Sequence, residues 1–526
     1  MKQKTSFFLK TPVLCITLLC AVLASSIFRG LRGYWVFYDP NMAFLGGSMG
    51  MFIITLVIIA LLIGITAMRL YAPEKMEAHA KAWRITGMLA FILTALFFIA
   101  DLVLLIFGGG ETFGAFWLVF KKDLLYILPI AAVGSLLLFL PCLRAKGRAI
   151  LSVCMALCIG CSALWMLFPI KSYHFVSAPV VMDTGEEYAV VFATNDTGTA
   201  YVHYTYEGKE YTVYAQNNGR RIGDRLIHSI HVPYAHLNNN RYDIGSTRVI
   251  EQYGYGSRLG KTVNAGPYTL RVNEGATQTY LCISDWHSYI KKAKAAIGAL
   301  GAYDAVIMLG DPNTNMEVEE QAVQYIVQFG GDITGGEMPV IFVRGNHETR
   351  GAFAAALPEY LGYNKLYYTV KRGEYSFLIL DSGEDKPDDH VEYGEMDSYE
   401  YHRAEMLEWL QTKPQITDKL VVLSHAWQVS EPEPEVSRAA WDVLQDMGAR
   451  FMISGHKHVC EFLEDDRDEE AAPTYLKAYP SITTYIDGGH RDNAYVASKL
   501  TLSETGVHFE AANNRGETVM DKTLPW

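Results

Sequence analysis

The stretch Phe342–Gly351, FVRGNHETRG, follows the apolar run Pro339–Val343 and contains an amide, an imidazole, a carboxylate and two guanidinium groups. The apolar run predicts a buried strand. Arg, Asn and His side chains at the end of a buried strand must be solvated or paired, so crowding them there does not help stability. We therefore expect these side chains to converge on a charged ligand.

The same succession of an apolar run and a polar cluster recurs along the second half of the chain. Four further strands end in SDWH, LGDP, LSHA and SGHKH; they are predicted at Thr279–Ser284, Ala305–Leu309, Leu420–Leu423 and Arg450–Ile453. Helices are predicted between them at Ser288–Leu300, Glu317–Phe329, Tyr401–Leu410 and Glu435–Met447, with a hairpin at Lys365–Val370 and Tyr375–Leu380. This alternation is typical of an α/β layered domain, whose ligand sites lie beyond the carboxyl ends of the strands.

The strand ends supply a mixed set of oxygen and nitrogen ligands. A single His or Asp at a strand end is more often a cap, turn or core residue, but five clusters in succession favour one common site. The candidate ligands are Asp285, His287, Asp311, Asn346, His425, His456 and His458. Such a set suits Mn, Fe, Zn, Ni or Co. Because seven ligands exceed the need of one ion, we predict two divalent metal ions that share an Asp carboxylate. Such a pair promotes in-line attack of a metal-bound hydroxide at phosphorus.

Five motifs in this order, Asp-x-His, Gly-Asp, Gly-Asn-His-Glu, a lone His and Gly-His-x-His, resemble the calcineurin-like metallophosphoesterase superfamily over residues 276–512. The resemblance implies that Asp285, His287 and His458 hold one ion, that Asn346, His425 and His456 hold the other, and that Asp311 bridges them. It also implies that His347 is the catalytic histidine, which protonates the leaving oxygen, and that Asn346 contacts the phosphate. Arg344 is a candidate clamp on the non-bridging oxygens, because its planar fork fits phosphate. For Glu348 and Arg350, orientation of His347 and simple solvation of the loop stay open.

The chain departs from the family pattern at two motifs. Asn313 and Thr314 stand where many members carry an acidic residue or a tyrosine, and Asp285-Trp-His287 replaces the Asp-x-Gly motif of purple acid phosphatases. A β-sandwich before the catalytic domain nevertheless resembles the domain order of those phosphatases. We therefore expect a purple-acid-phosphatase-like domain order with a non-purple metal site.

Short alternating runs between residues 172 and 275 indicate that sandwich. Tyr188–Phe192, Ala200–Tyr204 and Tyr211–Tyr214 are separated by turns rich in Asn, Asp and Gly. This spacing is typical of an all-β sandwich of about one hundred residues, similar to a fibronectin III domain.

The first 171 residues contain five long apolar windows. Each is about the ~20 residues that a bilayer core requires; they are Pro12–Phe28, Gly46–Met68, Ile85–Phe107, Leu124–Leu143 and Ile150–Phe168. Lys and Arg are concentrated in alternate loops, which predicts a cytoplasmic N-terminus and an extracytoplasmic catalytic domain in a multi-pass protein of the cell membrane. The first window could instead be a cleaved signal peptide.

Charge and cysteine content restrict the partners. Residues 1–171 hold 15 of the 45 Lys and Arg and 6 of the 57 Asp and Glu, which leaves 30 basic and 51 acidic residues in 172–526. An acidic part without a basic stripe argues against a nucleic acid polymer as partner. Outside the apolar windows only Cys282 and Cys460 remain, as free thiols or one bridge.

The sequence thus predicts an all-α transmembrane bundle of about five helices (1–171), a β-sandwich (172–275) and an α/β layered metallophosphoesterase domain (276–526). The expected function is a membrane-embedded, metal-dependent phosphoesterase that acts on a small or lipid-linked phosphoester, either a monoester or a diester. The alternative is a membrane receptor or lipid-handling protein whose esterase-like domain only binds. The acidic loop Gly383–Gly394 and the segment Trp427–Glu435 could border the site, and Trp286 could be a stacking wall or core packing.

Overall fold

The structure, a computed structural model, describes residue 78 and residues 173–253, 256–391, 393, 396–416, 419–463, 482–491 and 493–526. Residues 173–250 and 258–526 form one compact unit. The described part of the chain is built mostly of strands with few helices.

The prediction of a transmembrane bundle needs correction. Among the described residues, no helix is long and apolar enough to cross a membrane. The longest α-helices there, Tyr399–Gln411 and Pro434–Asp446, have 13 residues each, against the ~20 that a bilayer core requires. On this finding we withdraw the five-helix bundle and the multi-pass membrane location. The five apolar windows themselves lie outside the described residues.

The largest sheet contains ten strands, with β19 paired to β20 at one side and the others in the order β22-β21-β20-β10-β11-β12-β1-β2-β7. Its strands are β1 Val180–Asp183, β2 Tyr188–Ala193, β7 Ile227–Val232, β10 Gln278–Ile283, β11 Ala305–Met308, β12 Pro339–Phe342, β19 Gly489–Arg491, β20 Ala494–Leu502, β21 Gly506–Asn513 and β22 Thr518–Pro525. The strands β10, β11, β12 and β1 run parallel to their neighbours in this series, so their carboxyl ends lie along one edge.

The second sheet contains six strands in the order β13-β14-β15-β16-β18-β17. They are β13 Tyr368–Arg372, β14 Tyr375–Leu380, β15 Lys419–Ser424, β16 Phe451–Ser454, β17 Glu461–Phe462 and β18 Thr483–Ile486. The strands β14, β15, β16 and β18 are parallel. The chain therefore distributes its predicted parallel strands over two sheets.

The two sheets pack face to face over a common core. Successive side chains of β14 point to opposite faces of its sheet. Phe377 and Ile379 belong to the core shared with the first sheet, and Leu378 and Leu380 belong to a second cluster on the other face. The Tyr280 ring of β10 lies 4.8 Å from the Phe377 ring. This packing brings the carboxyl ends of β10, β11 and β12 close to those of β15 and β16.

The helices pack against the sheets, one of them at the four-stranded sheet described below and the two longest on the second sheet. They are α1 Tyr234–Leu237, α2 Ile290–Ala299, α3 Glu319–Ala322, a π-helical segment Val323–Gln328, α4 Phe329–Thr334, α5 Leu357–Tyr360, α6 Tyr399–Gln411 and α7 Pro434–Asp446. Met406 of α6 and Trp441 of α7 pack against Leu420 and Val422 of the second sheet.

A four-stranded sheet packs against the end of the first sheet that β1, β2 and β7 form. Its order is β4-β3-β8-β9, with β3 Gly198–Tyr206, β4 Lys209–Tyr214, β8 Arg241–Tyr253 and β9 Gly256–Thr269, and a small ribbon joins β5 Gln216–Asn217 to β6 Arg220–Arg221. Every residue of β2 is buried, because Ala189 and Val191 face the core that the two large sheets share, while Val190 and Phe192 face the four-stranded sheet. The sandwich strands thus continue the sheet that carries β10, β11 and β12.

The two cysteines of this region are free thiols. Cys282 is buried in β10, and Cys460 is partly buried with its Sγ 3.1 Å from the Tyr485 hydroxyl.

Candidate metal centre

The loops after five strands bring the seven candidate ligands to one place. Asp285 and His287 follow β10, Asp311 follows β11, Asn346 follows β12, His425 follows β15, and His456 and His458 follow β16. Four groups of side chains among the described residues lie close enough to hold an ion, and two of them consist entirely of candidate ligands: Asp285 with His287 and His458, and Asp311 with His425 and His456. The loops after these parallel strands therefore meet as the sequence predicts.

The first group has ligand atoms at distances that suit one ion. His458 Nε2 lies 3.3 Å from Asp285 Oδ1 and 3.3 Å from His287 Nε2. His287 Nε2 lies 3.9 Å from Asp285 Oδ1 and 3.8 Å from Asp311 Oδ2. Ligands bound at about 2.0–2.2 Å from a zinc-like ion lie about 3–3.5 Å from one another. The group is slightly open but of the right size.

The second group surrounds the side-chain oxygen of Asn346. This Oδ1 lies 3.2 Å from Asp311 Oδ2, 3.2 Å from His425 Nε2 and 3.3 Å from His456 Nδ1, and His425 Nε2 lies 3.2 Å from Asp311 Oδ2. Exchanging the amide oxygen and nitrogen would turn these contacts into hydrogen bonds. With the oxygen in its present position, a cation bound between Asn346 Oδ1, Asp311 Oδ2 and the two imidazole nitrogens would be a ligand partner for all four atoms.

In three histidines, His425, His458 and His456, a neighbouring group binds one ring nitrogen and leaves the other to face the centre. His425 Nδ1 donates to the Leu309 carbonyl at 2.5 Å, and His458 Nδ1 donates to the His490 carbonyl at 2.5 Å. His456 Nε2 lies 3.3 Å from the Glu431 carboxylate. Since the protonated nitrogens face outward, the remaining nitrogens present lone pairs to the centre, as in known metal-bound histidines.

Asp285 provides the clearest test of whether metal ions fit. Its Oδ2 accepts from the Ser284 hydroxyl at 2.6 Å and from the His456 backbone N–H at 2.8 Å. Its Oδ1 is buried and has no hydrogen-bond partner among the described residues. A buried carboxylate oxygen without a donor is costly. The residues present therefore fit divalent cations, which supply the missing positive charge.

The backbone is strained at the ligands themselves. Positive φ angles occur at Asp285, His287, Asp311, His456 and His458, between 35° and 71°. Such angles are unfavourable for residues with a side chain and persist where surrounding structure enforces them, often at functional sites. Gly345 is needed for space, since a Cβ there would collide with Asp311 Oδ1.

The ionisation of the centre suits metal binding. Burial lowers the pKa of His287, which favours the neutral imidazole that a metal requires. Burial would raise the pKa of Asp311, but the positive charge of protonated His425 holds it below its ordinary value. Asp311 is therefore a carboxylate whose positive partner is a proton on His425, and a divalent cation bound between the two side chains would replace that proton.

His347 borders both groups and lies outside the ligand set that the resemblance implies. Its Nε2 is 3.8 Å from Asp311 Oδ2, and its ring meets the His287 ring edge-on at 4.9 Å. Its Nδ1 donates to the Thr314 carbonyl at 2.7 Å. The backbone carbonyl of Thr314 thus orients the His347 ring. Thr314 belongs to the motif in which the chain departs from the family pattern.

In the described structure Arg344 binds Asp381 and not a metal ligand. Its Nε and Nη2 donate to Asp381 at 3.1 and 2.7 Å, and the guanidinium lies 5.3 Å from the Tyr399 ring centre. It lines a cavity of about 350 Å³ together with Lys365, Asp381, Tyr399 and His402. The predicted phosphate clamp remains untested, and these contacts do not support it.

Glu348, whose role the sequence left open, is buried beneath the centre. Its carboxylate accepts from the backbone N–H groups of Asp311 and Gly345 at 3.0–3.1 Å. Burial and the nearby Asp311 raise the pKa of Glu348. It holds together the two loops that carry Asp311 and Asn346, and it makes no hydrogen bond to the His347 ring in the described structure.

Sequence reasoning missed two supporting acidic residues, Glu384 and Glu431. Both come from segments considered only as a border of the site. Glu384 is 1% exposed and binds Arg350 through both carboxylate oxygens, at 2.7 and 2.6 Å. Glu431 lies against His456 and Lys457. Their position soon after β14 and β15, near the predicted ligands, was the available signal.

The two tryptophans near the centre are core residues. Trp286 is fully buried against Phe329, and its Nε1 donates to the Tyr325 carbonyl at 3.1 Å. Trp427 is buried against Trp441. Neither forms an open stacking wall.

We expect Glu431→Gln to weaken metal binding without removing it. The substitution keeps an acceptor near His456 but removes the charge that makes the imidazole a stronger ligand. Loss of such a partner typically costs about 10- to 100-fold in metal affinity. Titration of the metal-stripped chain with Mn²⁺ measures the effect, and Glu435→Gln, at an exposed position of α7, is the matched control. Equal affinities in the two variants would contradict the role of Glu431.

Solved structures similar to the chain include a metallophosphoesterase. A structure of PhoD has 12% identity, covers 68% of this chain and 94% of its own, and has a TM-score of 0.42. A metallophosphoesterase from Sphaerobacter thermophilus has 17% identity, coverages of 42% and 82%, and a TM-score of 0.21. Vps29 from Entamoeba histolytica has 12% identity, coverages of 47% and 99%, and a TM-score of 0.24. With TM-scores below 0.5, none of these likenesses supports a functional conclusion.

Comparison with curated proteins gives no significant match. Residues 279–460, however, match the calcineurin-like phosphoesterase family. The matched segment contains all seven candidate ligands and His347. Over residues 279–460, the chain is therefore similar to the calcineurin-like phosphoesterase family.

Proposed function

We propose that the protein hydrolyses small phosphoesters with two divalent metal ions. Asp285, His287 and His458 would hold one ion, Asn346, His425 and His456 would hold the other, and Asp311 would bridge them. The observation that carries the proposal is the position of Asp311 Oδ2 between the two proposed ligand sets. This oxygen lies 3.2 Å from His425 Nε2 and 3.8 Å from His287 Nε2.

Bound ions of this kind activate water and neutralise the phosphate oxygens during displacement at phosphorus. The chain itself supplies the positioning. The backbone N–H of His347 donates to Asp311 Oδ1 at 3.0 Å, and the Thr314 carbonyl holds Nδ1. Nε2 of His347 is then directed to the centre, where it can give a proton to the leaving oxygen.

The charge of the surroundings favours a small substrate. Around the centre, carboxylates and cations alternate in pairs: Glu431 with Lys457 at 2.6 Å, and Asp385 with Arg350 at 3.1 Å. The acidic surplus of residues 172–526 disfavours a long polyanion. A compact phosphoester, held by metal ions, avoids that repulsion.

Hydrolysis by the full-length chain tests the proposal. The chain is stripped of metal, resupplied with Mn²⁺, Zn²⁺ or Fe²⁺, and assayed with an aryl phosphomonoester and the matching diester. We expect turnover that requires metal, and the ratio of the two rates assigns the reaction class. Two bound ions per chain without turnover of either ester would favour the alternative, a domain that only binds.

A further inference from the structure

The guanidinium of Arg350 lies against two residues of the centre. Its Nη2 is 3.0 Å from the terminal amide atom of Asn346 that faces away from the metal ligands. Its Nη1 is 3.3 Å from His347 Nδ1 and 3.5 Å from His347 Nε2. The side chain is 24% exposed, so it borders the solvent side of the centre.

The contact between Arg350 Nη1 and His347 Nδ1 is not a hydrogen bond. The Thr314 carbonyl, 2.7 Å from His347 Nδ1, can only accept. Nδ1 must therefore carry the proton, and it cannot accept from Arg350. Glu384 and Asp385 are bound by Nε and Nη2, so Nη1 keeps only the 3.5 Å contact to His347 Nε2. When Nε2 carries the proton that it would give to the leaving oxygen, it cannot accept from Nη1 either.

Asn346 adds a second donor to the same region. If Asn346 Oδ1 faces a metal ion, its NH₂ group faces Arg350 Nη2 at 3.0 Å. Two donors at this distance repel each other unless an acceptor lies against both. The Asn346 NH₂ and the Nη groups of Arg350 therefore form a cluster of donors that requires an anionic oxygen.

We propose that Asn346 Nδ2 and Arg350 together bind a non-bridging oxygen of the phosphoryl group, and that Glu384 is the positioning residue that holds Arg350 in place. The inference rests on the proposed function and names the residues that donate hydrogen bonds to the phosphoryl group. It assigns to Arg350 the role that the sequence suggested for Arg344, whose Nε and Nη2 bind Asp381.

Glu384 is built to hold one arginine orientation. It is 1% exposed, binds Nε and Nη2 of Arg350 side by side, and also accepts from the Thr349 hydroxyl at 3.1 Å. A bidentate pair of this kind fixes the plane of the guanidinium. The plane so fixed turns Nη1 toward His347 and the centre.

Binding of inorganic phosphate to the metal-loaded full-length chain tests the assignment directly, by calorimetry and as inhibition of turnover. A charge-assisted hydrogen bond contributes about 1.5–3 kcal/mol, so Arg350→Ala should weaken phosphate binding by about 10- to 100-fold. The same variant should lose about 10²-fold in kcat, and added guanidinium ion should restore part of the loss. Arg271→Ala, at an exposed ion pair with Glu337, is the matched control. Metal content should stay unchanged in both variants.

Glu384→Gln separates positioning from fold support. Its loss of phosphate affinity should be smaller than that of Arg350→Ala, and the double variant should be no worse than Arg350→Ala alone, because both act through one guanidinium. Additive losses, or unchanged phosphate binding in Arg350→Ala with its metal retained, would overturn the proposal. If the wild-type chain binds phosphate but hydrolyses no ester, the proposed function fails, and phosphate binding by the variants still decides the role of Arg350.

Discussion

Asp311→Asn is expected to lower the metal content below two ions per chain and to reduce turnover by at least about 10³-fold, since metal ions contribute several kcal/mol to such reactions. Asp311 Oδ2 belongs to the second ligand group, 3.2 Å from both His425 and Asn346, and lies 3.8 Å from His287 of the first group. Asparagine has nearly the same shape but lacks the negative charge. An NH₂ group in place of Oδ2 would point its hydrogens at the positions proposed for the two cations.

The variant is compared with Asp442→Asn, an exposed position on α7. Both chains are stripped of metal, equilibrated with Mn²⁺ and analysed for bound metal by mass spectrometry before the assay. Thermal unfolding with and without metal adds a second readout, because ions that bind only the folded chain raise its stability. Two tightly bound ions and normal turnover in Asp311→Asn would show that Asp311 does not bridge.

The sequence predicted the strand ends of the centre well because two signals coincide there. The predicted ends Ser284, Leu309 and Val343 lie within one residue of the observed Ile283, Met308 and Phe342. Apolar runs mark the buried strands, and ligands must sit where buried backbone gives way to loops. The same periodicity does not reveal which strands pair, so the division into two sheets was not predictable.

The role of β2 shows a further limit of pattern analysis. Its sequence, YAVVFA, is apolar throughout, which fits a strand buried on both faces. Pairing with β1 and β7 places it at the junction of the catalytic sheet and the sandwich. Composition identifies such a strand as buried, but only the long-range pairing of β1 with β12 reveals which layers bury it.

Partners of the ligands were harder to predict than the ligands. Three imidazoles are oriented by the carbonyls of Leu309, His490 and Thr314. Every residue has a carbonyl, so the sequence carries no sign of these contacts. Long-range side-chain partners are equally hidden. Arg344 seemed the better phosphate clamp because its partner, Asp381, lies 37 positions away in the sequence.

His347→Ala is expected to keep both metal ions and to lower turnover by about 10²–10⁴-fold, the usual contribution of a proton donor. The loss should depend on the leaving group. An alkyl phosphoester needs a proton on its departing oxygen, whereas a nitrophenyl ester leaves as a stable anion. The alkyl substrate should therefore lose far more than the nitrophenyl substrate.

The matched control is His508→Ala, at a partly exposed histidine of β21 that pairs with Asp521 at 2.9 Å. Kinetics of both variants with the two esters are measured beside their metal content. An equal loss on both esters together with loss of one ion would make His347 a ligand, in the group that it forms with His287 and Asp311. If the variant keeps its metal and loses activity selectively on the alkyl ester, His347 is the group that protonates the leaving oxygen. The proton would come from Nε2, because Nδ1 is bound by the Thr314 carbonyl.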